Sequence, residues 1–260
     1  MGKGIALALA EAGATVYFTG RTTRKTAAAV PLAGAIEDTA DEARALGGEA
    51  HPVACDHRDD DSVRALFERI DREQGRLDLL VNNVWAGYEL LHEGQYETFG
   101  GPFWEAPFAL WDGMFSAGVR AHYVASSFAV PLMLRGERGL IVNISSFAAA
   151  NPKEVVPLGV AKAATDHLSA LMAEHLREHG IGVVSLYPGL VRTEGILKWK
   201  EYIDISNSES PLFVGRAVAA LAADPRVLER SGEVVVAAEI ASEYGFADID
   251  GALPQSLRAE

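Results

Sequence analysis

The chain has 260 residues, of which 49% are hydrophobic and 23% charged, as expected for one soluble domain rather than two. Its net charge of −13 argues against a nucleic-acid partner, because phosphate binding needs clustered Lys and Arg. No apolar run reaches the roughly 18 residues of a membrane span, and no secretion signal opens the chain. Cys55 is the only cysteine, so an internal disulfide is excluded and a reducing, cytoplasmic location is expected.

Predicted strands and helices alternate along the chain. Short, β-branched apolar runs predict strands, and apolar residues at helical spacing predict helices. The strands are expected at 14–20, 50–54, 77–81, 139–144, 182–186 and 233–236, and the helices at 37–46, from 59 onward, 109–134, 157–178 and 213–223. Strands this apolar indicate a parallel sheet covered by helices on both faces, a Rossmann-like, doubly wound α/β fold.

Two long connections interrupt the alternation, at about 84–108 and 194–212. The first is rich in aromatic residues, among them Phe103, Trp104 and Phe108. Both are expected to follow strands at the edge of the sheet where α/β proteins bind ligands. We therefore expect these loops to contact a small-molecule substrate that is bulky or apolar.

Three motifs occur where strands end or helices begin. The segment Ile141–Ser146 reads as a strand ending in two serines, 157–164 places Lys162 on the next helix, and 187–193 reads Y-P-G-L-V-R-T. In this order they resemble the short-chain dehydrogenase/reductase family, with its strand serine, its Tyr-x-x-x-Lys helix and its P-G-x-x-x-T turn. The resemblance covers nearly the whole chain and implies a single dinucleotide-binding domain over 1–260.

The beginning of the sequence departs from that family. Gly2 aligns with the last glycine of the family's phosphate-binding turn, so the earlier glycines and the first strand are missing from the given chain. Either an internal Met has been taken as the first residue, or the chain is shortened and has lost most of its phosphate cradle. We favour the first explanation, because a missing central strand would leave backbone groups unpaired.

The resemblance implies a nicotinamide cofactor. Gly20 stands where NAD-binding members carry an acidic residue, and Arg21 follows it. An arginine suits a 2′-phosphate, so NADP(H) is expected in preference to NAD(H). The cofactor-binding positions implied by the alignment are Gly2, Arg21, Asp56, Asn82, Lys162, Pro188, Gly189 and Thr193. Asp56 could instead cap the following helix, and Asn82 could be structural.

The implied catalytic set is incomplete. The serine is Ser146 by counting along the strand and Ser145 by counting back from the tyrosine position, so both are candidates. Lys162 matches the lysine, but Leu158 occupies the tyrosine position and Gly118 that of the family's asparagine. Loss of an acid/base group typically costs about 10²- to 10⁴-fold in rate.

Two functions are compatible with these residues. The first is an NAD(P)(H)-dependent oxidoreductase acting on a carbonyl or alcohol, with Tyr88, Tyr96 or Tyr123 as candidate substitutes for the missing acid. The alternative is a non-redox descendant, either an isomerase- or cyclase-like catalyst or a binding or scaffold protein. The family's use of its two long helices for assembly implies a homodimer or homotetramer. The histidines lack metal-ligand spacing, so no metal is expected. The acidic net charge and the short apolar runs likewise predict no nucleic-acid or membrane partner.

Overall fold

The computed structural model describes residues 1–26, 34–87, 101–198 and 200–258. The chain divides into two compact units. The first unit comprises Met1–Asp56, Tyr187–Pro225 and Val235–Glu260, and the second comprises His57–Leu186 and Arg226–Val234. The predicted single domain over 1–260 stays a prediction.

The first unit opens with a helix and a pair of parallel strands. Its first elements are α1 (Gly2–Glu11), β1 (Thr15–Gly20), α2 (Ile36–Ala45) and β2 (Glu49–Ala54). Val16 is level with Ala50 in this pair. Within the described residues β1 pairs with β2 and with no other strand.

The rest of the first unit is built from short elements around one longer helix. These are β6 (Leu190–Val191), α7 (Glu194–Leu197), β7 (Ser208–Glu209), α8 (Pro211–Ala223) and α9 (Ala237–Tyr244). Glycines let α1 and α8 approach closely, because a Cβ on Gly4 would lie 2.2 Å from the backbone of Pro211.

The second unit contains the larger sheet. Its elements are α3 (Asp60–Gln74), β3 (Leu79–Asn82), α4 (Phe108–Met114), α5 (Ala121–Met133), β4 (Gly139–Ile144), α6 (Val156–Leu176) and β5 (Ile181–Tyr187). The last strand in chain order is β8 (Val234–Val236), which begins at the final residue of this unit. Strands β3, β4 and β5 are adjacent and parallel, with Val142 level with Val81 on one side and Val184 on the other. Every residue of β4 and β5 is buried. The expected Rossmann-like fold with a parallel sheet is therefore confirmed.

The structure differs from the predicted elements in a few places. The helix expected at 109–134 is interrupted by a π-helical turn, Phe115–Arg120, which separates α4 from α5. The expected long loop at 194–212 contains β7 and the short helix α7. Helix α9 was not predicted.

Candidate active site

The two candidate serines at the end of β4 have different environments. Ser145 is 1% exposed, and its Oγ donates a hydrogen bond to the Lys162 carbonyl at 3.2 Å. Ser146 is half-buried and lies in extended backbone with φ −166° and ψ 167°. Within the described residues its hydroxyl makes no hydrogen bond. Of the two side chains, that of Ser146 is therefore the one available to a ligand.

Two hydrogen bonds of Lys162 join α6 to the end of β4. Its Nζ donates to the Ile144 carbonyl at 3.0 Å, while its own carbonyl accepts the hydrogen bond from Ser145. Burial lowers the pKa of Lys162 to about 8, against the opposing effect of Asp166. The ammonium can therefore lose its proton close to neutral pH.

Leu158 lies one helical turn before Lys162 and places an apolar side chain at the position of the family's tyrosine. It packs against the buried cluster of Leu110, Met114 and Ala161. Trp85 joins this apolar group and donates from Nε1 to the Met114 sulfur at 3.0 Å. The tyrosine position thus lies against apolar side chains and carries no proton donor of its own.

The position of the family's asparagine is also changed. Gly118 is buried within the π-helical turn. A Cβ placed on it would meet no atom within 4 Å among its neighbours, so a larger side chain has room here. Such turns are frequent at functional sites. The helix is thus irregular at Gly118, the position where the family carries its asparagine.

Asn82 belongs to a buried polar network. Its Nδ2 donates to Asn143 Oδ1 at 2.8 Å and to Ser126 Oγ at 3.1 Å. Asn143 in turn donates to Ser169 at 2.8 Å, and Ser185 joins Ser169 at 2.9 Å. These bonds connect β3, β4 and β5 with α5 and α6, which favours a structural role for Asn82.

Two buried atoms near the end of β3 lack partners. Asn83 Oδ1 and His122 Nδ1 make no hydrogen bond within the described residues. His122 Nε2 lies 3.3 Å from the Val84 carbonyl. Burial, helped by Lys162, lowers the pKa of His122 to about 3, so the imidazole is neutral. Since buried polar groups are normally paired, Asn83 Oδ1 stands out among the described residues as a buried acceptor without a donor.

In the first unit, Arg21 and Arg24 follow β1. Arg21 is exposed, as expected for a residue that would contact a phosphate. Arg24 is already engaged, donating to Asp38 at 2.7 Å and to Asp41 at 2.6 Å. Gly2 opens α1, as predicted, and the neighbouring Met1 amine has its pKa lowered by burial.

Asp56 does not cap the helix that follows it. The cap of α3 is Asp59, whose side chain accepts from the Asp61 amide at 3.1 Å. The capping interpretation of Asp56 is therefore wrong. Its partly buried side chain lies beyond the end of β2, where Cys55 N still donates to the Gly20 carbonyl at 3.1 Å.

The P-G-x-x-x-T segment also lies in the first unit. Pro188 and Thr193 are buried, and Thr193 Oγ1 caps α7 by accepting from Ile196 N at 3.4 Å. Gly189 N donates to Glu209 Oε1 at 3.0 Å. Glu209 was not predicted as a site residue. The one signal in the sequence is that an acidic residue precedes Ser210 and Pro211, where α8 begins.

The structure brings Ser145, Ser146 and Lys162 together in the second unit. Of the candidate substitutes for the tyrosine, Tyr88 and Tyr96 lie outside the described residues. Tyr123 is 57% exposed on α5 and lines an open groove of about 550 Å³ with Trp111, away from these three residues. Tyr123 therefore does not take the place of the missing tyrosine beside Lys162.

Metal-ligand clusters and membrane-spanning helices are both absent from residues 1–26, 34–87, 101–198 and 200–258. There, no three His, Cys, Asp or Glu residues are grouped so that they could hold a metal ion. No helix in that part of the chain is both long and apolar enough to cross a bilayer.

Comparison with known proteins gives matches over most of the chain. A family described as short chain dehydrogenase matches residues 1–204. The Mus musculus protein "Dehydrogenase/reductase SDR family member 1" is 43% identical over 265 residues, covering 96% of this chain and 80% of that protein. Its Homo sapiens namesake is 40% identical with the same coverage.

Solved structures share the fold. A short chain dehydrogenase from Mycobacterium thermoresistibile has a TM-score of 0.80 at 24% identity, covering 100% of this chain and 91% of that one. A 7α-hydroxysteroid dehydrogenase complexed with NADH and 7-oxo glycochenodeoxycholic acid has a TM-score of 0.72 at 25% identity, covering 99% and 91%. With a family match over most of its length and relatives this similar, the chain belongs to the short-chain dehydrogenase family.

Proposed function

We propose that this protein is an oxidoreductase that uses a nicotinamide dinucleotide to interconvert a carbonyl and an alcohol. The observation that carries the proposal is the junction of β4 and α6. Ser146 offers an unused hydroxyl there, and the buried Lys162 has a pKa of about 8. This junction, together with family membership, favours a retained redox site over a fold kept for structure alone.

The residues of the second unit fit such a cofactor. Asn83 Oδ1 is a buried acceptor without a partner among the described residues, and Lys162 carries a buried cation that would hold ribose hydroxyls. The dinucleotide, when bound, supplies or accepts the hydride. Ser146 would donate a hydrogen bond to the substrate oxygen, where charge develops in the transition state. Because Leu158 carries no proton, water would deliver it, and we expect slow turnover.

NADP(H) is our preferred cofactor. Arg21 is exposed directly after β1, and its guanidinium could pair with a 2′-phosphate. The structural relative described above holds NADH, so the preference depends on this side chain. Arg21→Ala should weaken NADPH binding about tenfold and leave NADH binding unchanged. Arg24→Ala is the matched control, because it removes a second exposed arginine that follows β1 and that pairs with Asp38 and Asp41.

We propose a bulky, apolar carbonyl compound as the substrate. Phe103, Trp104 and Phe108 expose 63, 73 and 90% of their surfaces on the described part of the first long loop. The similar hydroxysteroid dehydrogenase holds a 7-oxo bile acid, which is a ligand of this kind. We also propose a homo-oligomer through α4, α5 and α6, whose outer face exposes Trp111, Tyr123 and Leu171.

A non-redox function is the second candidate, and one observation favours it. Leu158 packs against Leu110, Met114 and Ala161. The position of the family's proton donor is therefore occupied by an apolar side chain. A pocket of this kind could bind or isomerise an apolar compound without hydride transfer.

Binding and turnover distinguish the two candidates. NADPH and NADH binding should be measured by calorimetry on the chain as given, followed by reduction of a panel of apolar ketones under saturating cofactor. Micromolar binding with slow, cofactor-dependent reduction is expected. Binding without turnover of any ketone, or no binding even when the chain is extended upstream, would favour the non-redox protein.

A further inference from the structure

The loop 194–207 begins and ends at one narrow neck. We define the loop neck as residues 189–192 and 208–210. Strands β6 and β7 pair there, with Val191 level with Glu209, and Arg192 N donates to the Glu209 carbonyl at 2.8 Å. Any change at the neck therefore acts on the P-G turn and on the loop together.

The side chain of Glu209 lies inside this neck and is 1% exposed. Its Oε1 accepts from Gly189 N at 3.0 Å. Its Oε2 makes no hydrogen bond within the described residues and lies 3.0 Å from the place that a Cβ on Gly189 would take. A side chain at residue 189 would press on this carboxyl group, so glycine leaves room for the contact with the amide, and one carboxyl oxygen is left over.

The cation of the neck is engaged by other carboxylates. Arg192 donates to Asp248 at 2.9 Å and to Asp250 at 3.3 Å, and also to the Ser208 carbonyl at 2.7 Å. The buried Asp248 in addition accepts from Ser210 N at 2.7 Å. Among the described residues Glu209 has no direct ion pair, so its ionisation would add a buried negative charge that none of their cations contacts.

We propose that Glu209 is a positioning residue for the Pro188–Gly189 turn, which it holds in one arrangement when protonated and in another when ionised. The proposal rests on the proposed function only in taking this turn to contact the nicotinamide. Glu209 would not exchange a proton with substrate. It would set the direction of the Gly189 amide and thereby the fit of the cofactor amide group.

The surroundings place this change of state near neutral pH. Burial raises the pKa of Glu209 to about 7, against the hydrogen bond from Gly189, while Asp248 raises it and Arg192 lowers it. The neutral carboxyl group suits the buried site. The ionised group binds the Gly189 amide more strongly, because hydrogen bonds to a charged acceptor are shorter and stronger.

A pH titration of the protein by amide NMR tests the proposal without any requirement for activity. The Gly189 N–H resonance should move downfield with a midpoint near pH 7. In Glu209→Gln, which keeps an acceptor but cannot ionise, this titration should vanish. Glu201→Gln, the same change at an exposed position of the loop, should leave it in place.

Cofactor binding supplies the second measurement. In the wild type the Kd for NADPH should rise roughly three- to tenfold between pH 6 and pH 8, the effect of one nearby, partly screened charge. Glu209→Gln should flatten that profile relative to Glu201→Gln. A Gly189 amide that does not titrate, or that titrates equally in Glu209→Gln, would overturn the inference.

Failure of the proposed function gives a different pattern. If the wild type bound neither NADPH nor NADH while the Gly189 amide still titrated through Glu209, the positioning of the turn would stand and the redox function would fall. If Glu209→Gln does not fold, the wild-type titration decides alone, since its absence contradicts the proposal.

Discussion

The β4–α6 junction and the loop neck each bury one titratable side chain, with opposite results. At the junction, burial lowers the pKa of Lys162 to about 8. At the neck, burial raises the pKa of Glu209 to about 7. In each region the low-dielectric surroundings disfavour the charged form, so a base and an acid with ordinary values far apart both titrate near neutrality.

The difference lies in what surrounds each group. Lys162 belongs to a motif recognisable in the sequence, and its Nζ has a carbonyl partner at 3.0 Å. Glu209 belongs to no motif, and it leaves one oxygen unpaired while Arg192 serves Asp248 and Asp250. At the β4–α6 junction the family motif is thus retained, but its proton donor is missing. At the loop neck the titratable group belongs to a residue that no motif identifies.

The largest expected effect comes from restoring the acid at the junction. Leu158→Tyr should raise the rate of ketone reduction by about 10²- to 10⁴-fold, the usual contribution of a positioned acid. Leu158→Phe is the matched control, since it adds the same ring to the cluster around Met114 without a hydroxyl. Steady-state rates at saturating NADPH measure the gain. Equal rates in the two variants would show that the pocket itself has diverged.

The next effect separates the two serines. In the Leu158→Tyr background, Ser146→Ala should lower kcat about 10²- to 10³-fold with an unchanged Tm, because only a contact to the reacting oxygen is lost. Ser145→Ala should instead cost about 1 kcal/mol of unfolding free energy, since it removes the hydrogen bond to the Lys162 carbonyl. Reversed results would assign the catalytic role to Ser145.

The smallest effect is a pair of opposite pH slopes in stability. Between pH 4.5 and 7 the folded chain keeps the Glu209 proton that the unfolded chain loses, so Glu209 lowers stability as pH rises. Between pH 8 and 10.5 the unfolded chain holds the Lys162 proton that the folded chain has lost, so stability rises with pH. Each contribution should amount to about 1–3 kcal/mol.

Denaturant unfolding across pH isolates these slopes. Glu209→Gln should remove the acidic one and Lys162→Met the alkaline one, each relative to an exposed control, Glu201→Gln or Lys198→Met. Lys162→Met should also be more stable than the wild type at pH 7, because an apolar side chain replaces a buried charge. A slope that survives in its variant would show that another group is responsible.

The sequence was sufficient for the fold and for the residues whose motif spacing is rigid. The strand at 139–144 was predicted with the bounds observed, because a fully buried strand is apolar throughout. Lys162 and the two serines were predicted as site residues because they stand in segments that resemble the family's motifs. The structure then separated the serines by burial, which the spacing had left open.

The remaining features depend on contacts that no local pattern encodes. The contact between Glu209 and Gly189 spans twenty positions, and neither residue is unusual in its own segment. Asp59, and not Asp56, caps α3, a difference set by where the backbone turns. The π-helical turn at 115–120 leaves the composition of the helix unchanged, so periodicity read it as continuous.

That turn has a consequence for how this chain tolerates insertions and deletions. Removing one residue near Gly118 would restore a regular helix and rotate everything downstream by about 100°. Ser126 would then swing away from Asn82, which it now meets at 3.1 Å, while Leu110 and Met114 upstream would keep their places. The extra residue therefore sets the rotation between α4 and α5, so that α4 contacts the apolar cluster and α5 contacts the polar network. Among related proteins, the number of residues in this turn should therefore vary less than the identity of those residues.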